Sequence, residues 1–395
     1  VSKDAPVAAP VLEKLAQQQP GPSATARDRR AVSRLRCAAA RLRSKGDLAS
    51  APLRACDLDG GATGKLALVE LLEQAKDPGR HRALLSELCA DGDIRVRQAA
   101  LVALGAMPRL EGRCELLLPA LEAEAPGVVA AALAVLEKDP NVCARPAPKT
   151  KGKGKGKEDQ DEAKRPVDER LLPLLGKALE RGRKEHDPEL LSAAISALGV
   201  VGDPSVRDLL AADCASDRAS VRQKAAAALS ALTGKRTECS APEGQRVAPP
   251  ASLREGTVRV KLVTDVGELG LELDAAAAPM LATRVADLVA RGYYDGNVIH
   301  RVDPSFVVQF GSPFGDGFGG PTDLPPLRCE TTPRPFEQGD VGLALAGRDT
   351  GSSQLFVMLA RHPHLDGQYP WVGKAQGPWE QVEVGDVIQK ATLAP

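Results

Sequence analysis

A repeat of about 31 residues within the first 240 residues is the feature that most restricts the fold of this 395-residue chain. Four similar segments align on Val96, Val128, Leu190 and Val221, at intervals of 32, 62 and 31 residues. The middle interval equals two periods. Apolar residues recur every three or four positions in each segment, which predicts amphipathic helices. A helix pair repeated with this period predicts an α-solenoid, in which each unit buries its apolar face against the next.

These segments resemble short HEAT-like repeats. The second helix of such a repeat often opens on the pattern D-x-x-V-R-x-x-A-A-x-A-L, which DIRVRQAALVAL and RASVRQKAAAAL largely match. The resemblance implies a helical domain with a concave face for an unknown protein partner or client. We assign HEAT-like repeats to residues 28–143 and 169–236.

Three segments of different composition flank these repeats. Residues 1–27 are rich in Ala, Pro, Gln and Ser, which is typical of a flexible leader. Residues 144–168 contain ARPAPKTKGKGKGKEDQDEAKRPVD and are predicted to form a disordered, solvated loop. The alternative is a basic arm for nucleic acid or phospholipid, but the acidic run beside it argues against that role. Residues 237–255 are predicted to be a linker.

From residue 256 the pattern becomes extended. TVRVKLVTDVGELGLELD alternates apolar and polar residues around a turn, which predicts a β-hairpin. An amphipathic helix is predicted in APMLATRVADLVARGYYDG, ending at Gly292. Further short strands are predicted in NVIHRV, FVVQF, VGLALA and QLFVMLA. One helix among many short strands predicts a closed antiparallel β-barrel with covering helices over residues 256–395.

The strand FVVQF indicates a site on this barrel. With a period of two, Phe306, Val308 and Phe310 face one side, and Val307 and Gln309 face the other. A strand inside an apolar core does not favour a Gln side chain. A Gln, an Arg and a Phe close together predict a site with a polar rim and an apolar floor.

The same segments resemble the cyclophilin-type peptidyl-prolyl isomerases. The shared motifs are GYYDG, IHRV, PSFVVQFGSP and GDGFGG, followed by SSQLF and HLDGQY. The similarity covers residues 256–395, about a third of the chain. It implies a cyclophilin-like domain that isomerises X-Pro bonds of Pro-containing protein clients and needs no cofactor.

The resemblance implies that Arg301, Gln309 and Phe306 are the catalytic residues. Rotation about an X-Pro amide is slow because resonance gives a barrier of about 18–20 kcal/mol. A hydrogen bond to the prolyl nitrogen favours the twisted amide, and an Arg guanidinium is a permanently charged donor. Gln309 matches the family residue that contacts the substrate backbone and orients the Arg. Phe306 matches a residue of the pocket that holds the Pro ring.

Further positions match substrate-binding residues of the family: His300, Val307, Ala346, Gln354, Phe356, His364, Leu365 and Tyr369. We expect a neutral His300 to support the site rather than to act as a base. For Gln354, substrate contact and loop anchoring are both open. His364 stands where the cyclosporin-sensitive members carry Trp, so cyclosporin binding should be weak. Arg301, Phe306 and Gln309 are all retained, so we expect activity to persist.

The cysteines leave two alternatives open. Cys89 and Cys114 are 25 residues apart, as are Cys214 and Cys239. If these pairs occupy equivalent places in a repeat, each could form a local disulfide, which implies an oxidising compartment. Alternatively, they are reduced core residues of the helical repeats. No CxxC and no Cys/His cluster with zinc spacing occurs, so no metal site is predicted.

Charge and hydropathy narrow the classes of partner. The formal net charge is zero, so no global field favours nucleic acid. No apolar run is long enough to predict a transmembrane segment.

The alternative function is a non-catalytic scaffold whose barrel only binds Pro-containing segments. The Ala/Pro-rich start without Met and the cysteine spacing favour an exported bacterial protein, periplasmic or envelope-attached. A cytoplasmic protein is the alternative.

Overall fold

The computed structural model describes residues 9–17, 19, 21, 23–44, 62–73, 78–144, 167–241 and 252–395. The part before residue 241 is helical. Its α-helices are Ala9–Ala16 (α1), Ala26–Ser44 (α2), Ala62–Glu73 (α3), Arg82–Cys89 (α4), Ile94–Gly105 (α5), Arg113–Ala120 (α6), Pro126–Lys138 (α7), Leu171–Lys184 (α8), Pro188–Val201 (α9), Arg207–Asp213 (α10) and Ala219–Thr233 (α11).

The helices pack as pairs and as a row. α4, α6, α8 and α10 each pack against the helix that follows them. The following helices also pack against one another, α5 on α7, α7 on α9 and α9 on α11. Small residues allow close approach, since a Cβ on Gly199 of α9 would overlap Ala228 of α11. The predicted repeat residues Val96, Val128, Leu190 and Val221 are all fully buried in one apolar core.

Part of the predicted leader is helical. Within residues 1–27, Ala9–Ala16 form α1. Pro10 lies in the first turn of this helix, where its missing N–H removes no intrahelical hydrogen bond. Of the predicted disordered loop, residues 145–166 lie outside the described residues, as do residues 242–251 of the predicted linker. Within the described ranges, none of the helices combines the length and apolar character that crossing a bilayer requires.

The disulfides differ from the expected pairs. Cys114 is joined to Cys143, with a Cα–Cα distance of 4.9 Å, so the predicted Cys89–Cys114 pair is wrong. Cys89 ends α4 and packs against the helical core, where burial raises the pKa of its thiol to about 12. Cys214 and Cys239 form a disulfide. Their spacing matches that of the rejected pair, but the positions are not equivalent, because Cys214 and Cys239 follow helices whereas Cys114 lies inside α6.

The C-terminal part is one curled antiparallel sheet of nine strands. The strands are Thr257–Thr264 (β1), Gly267–Asp274 (β2), Asn297–Val298 (β3), Arg301–Val302 (β4), Val307–Phe310 (β5), Asp340–Leu343 (β6), Leu355–Met358 (β7), Trp371–Gln376 (β8) and Val387–Ala394 (β9). Their order across the sheet is β3-β9-β1-β2-β8-β6-β7-β5-β4. Pro279–Ala290 (α12) packs against β9, β1 and β2.

The closed barrel is not confirmed. The sheet order ends at β3 and β4, and among the described residues no ladder joins these two strands. Ile299, which lies between them, exchanges hydrogen bonds with the turn before β9, accepting one from Gly385 and donating one to Asp386. The predicted strand NVIHRV is therefore split into two short strands that serve opposite edges of the sheet. One covering α-helix, rather than several, is present in residues 252–395.

The helical part and the sheet part contact each other through charged residues of α2. Arg27, Arg30 and Arg34 lie one turn apart and face the loop before β9. Arg34 donates to the Glu383 carboxylate at 2.7 Å. Arg30 forms an ion pair with Asp386, which is fully buried. These contacts join residues of α2 to residues that lie about 350 positions later in the chain.

A second contact lies beside the glycine-rich loop that follows β5. Phe314 packs against the helical core. Arg218, immediately before α11, donates to the backbone oxygen of Asp349 at 2.6 Å. At the start of α7, a Cβ on Gly127 would overlap Asp316 and Phe318. The helical part therefore touches the sheet part next to the segment that carries the predicted site.

Candidate active site

Strand register places the main predicted residues in one row. Arg301 of β4 lies opposite Gln309 of β5, which lies opposite Phe356 of β7, which lies opposite Gly342 of β6. Residues directly opposite in antiparallel strands point to the same face of the sheet. A Cβ on Gly342 would overlap the Phe356 ring, so glycine leaves room for that ring. The row thus runs from a cation through an amide to an aromatic floor.

Arg301 presents its guanidinium to solvent at the edge of the sheet. The residue is exposed, and within the described residues its guanidinium has no hydrogen bond or ion pair. Its Cζ lies 5.4 Å from the centroid of the Phe306 ring, within the range of a cation–π contact. The donors of Arg301 therefore remain available to a ligand that lies over Phe306.

Two glutamines connect the row to the glycine-rich loop. Gln309 Nε2 donates to Gln354 Oε1 at 3.0 Å. Gln354 Nε2 in turn donates to the carbonyl oxygens of Gly317 and Gly319, at 2.9 and 3.2 Å. Gln354 therefore anchors the loop and holds the Gln309 side chain. Of the two roles left open for Gln354, the structure contains the anchoring one.

A second apolar cluster, separate from the main core of the sheet, lies on the face of this row. Its buried members are Val307, Phe336, Phe356, Met358, Leu365 and Trp371, and the half-buried Ala277, Phe306, Ala344 and Tyr369 pack against them. The predicted residues Val307, Phe356, Leu365, Phe306 and Tyr369 are all members. Apolar side chains gathered on the face opposite the main core indicate a floor for an apolar ligand group.

The predicted direction of Phe306 is wrong. It was expected to share a face with Val308 and Phe310, which lie in the main core, but it packs with Val307 in the second cluster. The alternation fails because β5 begins at Val307. Phe306 belongs to the preceding turn, in which its N–H donates to the Asp303 carbonyl at 2.8 Å.

The two tyrosines of the GYYDG motif support the site from behind. Tyr293 Oη lies 3.0 Å from Ser353 Oγ, and Tyr294 Oη donates to the Ser353 carbonyl at 2.9 Å. Burial raises the pKa of Tyr293 to about 12 and that of Tyr294 further. Both phenols therefore stay protonated as donors. They fix the residue next to Gln354 rather than contact the site themselves.

His300 is enclosed rather than presented to a ligand. Both ring nitrogens are buried and have no hydrogen-bond partner among the described residues. Burial, and secondarily the charge of Arg301, lower the pKa of His300 to about 4. The imidazole is thus neutral near pH 7, as expected for a supporting residue.

The buried His300 should make stability depend on pH. In the unfolded chain its pKa is near 6.5, so below that pH the unfolded state takes up a proton that the folded state resists. The free energy of unfolding should therefore fall between pH 7 and pH 5, by about 2 kcal/mol more in the wild type than in His300→Gln. Urea unfolding followed by fluorescence of Trp371 and Trp379, both in the sheet part, measures this difference. Equal losses in the two proteins would contradict it.

Two predicted residues lie at the margin of the cluster. The exposed His364 ring has its centroid 5.5 Å from that of Phe306, beside the floor rather than in it. Ala346 is exposed and does not join the cluster. Ala344, two residues earlier, packs against the cluster instead. Met358 and Trp371 were missed because an apolar residue in a strand looks the same on either face of the sheet. Ala344 and Phe336 were missed because they lie outside the strands, where no periodicity applies.

Comparison with known proteins identifies the family of this part of the chain. Residues 259–393 match the model of the cyclophilin type peptidyl-prolyl cis-trans isomerase/CLD family. A peptidyl-prolyl cis-trans isomerase of Helicobacter pylori is 34% identical over 146 residues, which are 35% of this chain and 89% of that protein. The chain belongs to the cyclophilin-type peptidyl-prolyl cis-trans isomerases.

Other relatives match the same region. Peptidyl-prolyl cis-trans isomerase B of Bacillus subtilis is 38% identical over 137 residues, 33% of this chain and 94% of that protein. A crystal structure of a Cryptosporidium parvum cyclophilin type isomerase has 24% identity and a TM-score of 0.33, covering 35% of this chain and 98% of that one. The expected isomerase function is confirmed at the level of the family. We refer to residues 259–393 below as the cyclophilin domain.

Proposed function

We propose that the row of Arg301, Gln309 and Phe356, with Phe306 beside it, is the site at which the cyclophilin domain isomerises X-Pro bonds of protein clients. The observation that carries this proposal is the cross-strand register. It places beside an apolar cluster a guanidinium that has no ion pair among the described residues. A Pro ring is apolar, whereas its amide is polar. Such a ligand can use the cluster and the guanidinium at once.

The chemistry requires stabilisation of a twisted amide rather than a covalent step. When the amide twists, the prolyl nitrogen loses resonance with the carbonyl and gains a lone pair. A donor aimed at that nitrogen binds the twisted state better than the planar one, which is the condition for catalysis. We assign this donor to Arg301. Gln309, held by Gln354 at 3.0 Å, is placed to hydrogen-bond the client backbone and to keep it beside Arg301.

The apolar cluster would hold the Pro ring still while the rest of the segment rotates. Val307, Phe356 and Leu365 are at most 4% exposed and form the floor. Half-buried Phe306 and Tyr369 are placed as its rim. A ring fixed in this way leaves rotation of the preceding carbonyl as the remaining motion. We further propose that the curled sheet approaches a closed barrel behind this floor, since β3 and β4 are only two residues apart.

The helical part is proposed to be a HEAT-like solenoid that binds a protein partner or client. The support is the row α5, α7, α9 and α11, with one flanking helix for each member, and the buried repeat residue in each. Such stacks present extended surfaces because each unit contacts mainly its neighbours. The contacts through Arg30 and Arg218 would hold this surface next to the catalytic face.

Exchange NMR on a short Ala-Pro peptide tests the enzyme against a module that only binds. Adding catalytic amounts of the full chain should broaden the separate cis and trans signals and produce exchange peaks. Both effects are expected because catalysed interconversion is faster than uncatalysed interconversion, which takes up to minutes. A peptide with Ala in place of Pro is the control and should show neither effect. Chemical-shift changes at stoichiometric amounts without added exchange would support the scaffold hypothesis instead.

A further inference from the structure

A small pocket lies beside the proposed site and is shared by the two parts of the chain. The cyclophilin domain contributes, among others, Gln309, Gly317, residues 319–321, 344–346 and 352–354. The helical part contributes the turn between α8 and α9, residues 185–189. The cavity measures about 80 Å³, several times the ~10–15 Å³ that one water molecule needs. Gln309 and Gln354 belong both to this pocket and to the proposed site, so a bound segment can reach from one into the other.

The helical wall of the pocket is firmly built. Asp187 caps α9, accepting hydrogen bonds from the backbone N–H groups of Glu189 and Leu190 at 3.0 Å. Glu185 is held by two hydrogen bonds of 3.0 Å from Arg181. His186 has φ +52°, which turns the chain sharply between the two helices. The turn is therefore a preformed wall.

This wall is acidic, and Arg181 is the cation that the described residues place beside it. Asp187 is only 7% exposed, and its Oδ2 has no hydrogen-bond partner. Among the described residues, Glu189 has no ion pair, and its near charges are those of Asp187 and Asp316. The lining residues of the cyclophilin domain carry no charge. Arg181 forms an ion pair with Glu185, and its charge partly offsets the burial of Asp187.

Burial, reinforced by Asp187 and Asp316, raises the pKa of Glu189 to about 7. A cation that binds beside a carboxylate in such surroundings stabilises it, since the cation offsets both the desolvation and the repulsion from the like charges. The same surroundings repel a second anion. The geometry of the pocket thus favours one sign of ligand charge.

We propose that this acidic pocket, built jointly by the α8–α9 turn and the cyclophilin domain, receives a Lys or Arg side chain of the client segment whose X-Pro bond lies in the site. The inference rests on the proposed function of that site. It makes the helical part a determinant of client choice within the catalytic groove itself. Glu189 is the principal specificity residue, since its carboxylate has no other partner among the described residues.

The test uses peptides with Lys, Ala or Glu at one, two or three residues before or after Pro, assayed by exchange NMR with the full chain. At one of these positions, the wild type should have a kcat/KM for the Lys peptide roughly fivefold above that for the Ala peptide. This factor corresponds to the contribution of one ion pair at a partly screened site. Glu at that position should fall below Ala. In Glu189→Gln both ratios should approach one.

Glu137→Gln is the matched control, because Glu137 is an exposed residue of α7 that does not line the pocket. It should keep the wild-type ratios. Ratios near one in the wild type at every position, or wild-type ratios retained in Glu189→Gln, overturn the inference. In both cases turnover of the Ala peptide shows that the isomerase site itself is intact. If the Ala peptide is not turned over by the wild type, the proposed function fails and the inference fails with it.

Discussion

Replacing Arg301 with Ala is expected to lower kcat/KM for X-Pro isomerisation roughly 10²–10³-fold, the usual cost of removing one donor that acts on the transition state. The loss should fall mainly on kcat, because the apolar floor proposed to hold the Pro ring stays in place. Arg301 is exposed and has no hydrogen bond or ion pair among the described residues, so its removal leaves no buried charge uncompensated. Exchange NMR at several peptide concentrations separates kcat from KM.

Two variants make this result specific. Arg301→Lys keeps the charge but loses the planar fork of donors, so we expect an intermediate rate. Arg259→Ala removes another exposed guanidinium, from β1, where its partner Glu272 lies 3.6 Å away, and should leave the rate unchanged. A rate for Arg301→Ala within twofold of the wild type would exclude Arg301 as the donor.

Replacing Gly311 with Ala is expected to destabilise the cyclophilin domain by ~3 kcal/mol, since strain and overlap act together at this position. Gly311 has φ +97°, and a Cβ there would overlap the carbonyl oxygen of Ser353. The Gly311 carbonyl also accepts from Ser353 Oγ at 2.9 Å, and its N–H donates to Asn297 at 2.9 Å. The displaced segment is the one that carries Gln354, so activity should fall as well.

Gly267→Ala separates strain from overlap. Gly267 has φ +104°, close to that of Gly311, but nothing lies within 4 Å of a Cβ built on it. This variant should cost only ~1 kcal/mol, the price of a left-handed conformation in a residue with a side chain. Urea unfolding followed by tryptophan fluorescence gives both values. Equal losses for the two variants would show that close packing against Ser353 does not contribute.

The location of the site could be predicted from the sequence because its residues form long, ordered motifs. IHRV and SSQLF place Arg301 and Phe356 on strands, and their alternation of residue types needs only the period of a strand. Which apolar residues form the floor could not be predicted in full. Ala344 and Phe336 lie in loops, and the lengths and turns of these loops bring them to the second cluster. Loops have no periodicity from which such positions could be predicted.

Pairings between distant segments were predicted less well for the same reason. The spacing of 25 residues suggested Cys89–Cys114, yet packing of α6 against α7 brings Cys143 to Cys114. The split of NVIHRV into β3 and β4 follows from hydrogen bonds between Ile299 and the turn at residues 385–386, nearly ninety residues later in the chain. No local pattern encodes such a contact.

By itself, the sequence determined the helical and extended parts, the repeat residues of the helical core and the isomerase family, because periodicity and motifs are local properties of a chain. Only the tertiary structure decided that Arg301, Gln309 and Phe356 form one row and that Glu189 stands beside them. That second juxtaposition depends on how α8 and α9 dock against the glycine-rich loop. Docking is the sum of many weak contacts between surfaces far apart in sequence, so the shape of both partners must be known before it can be inferred.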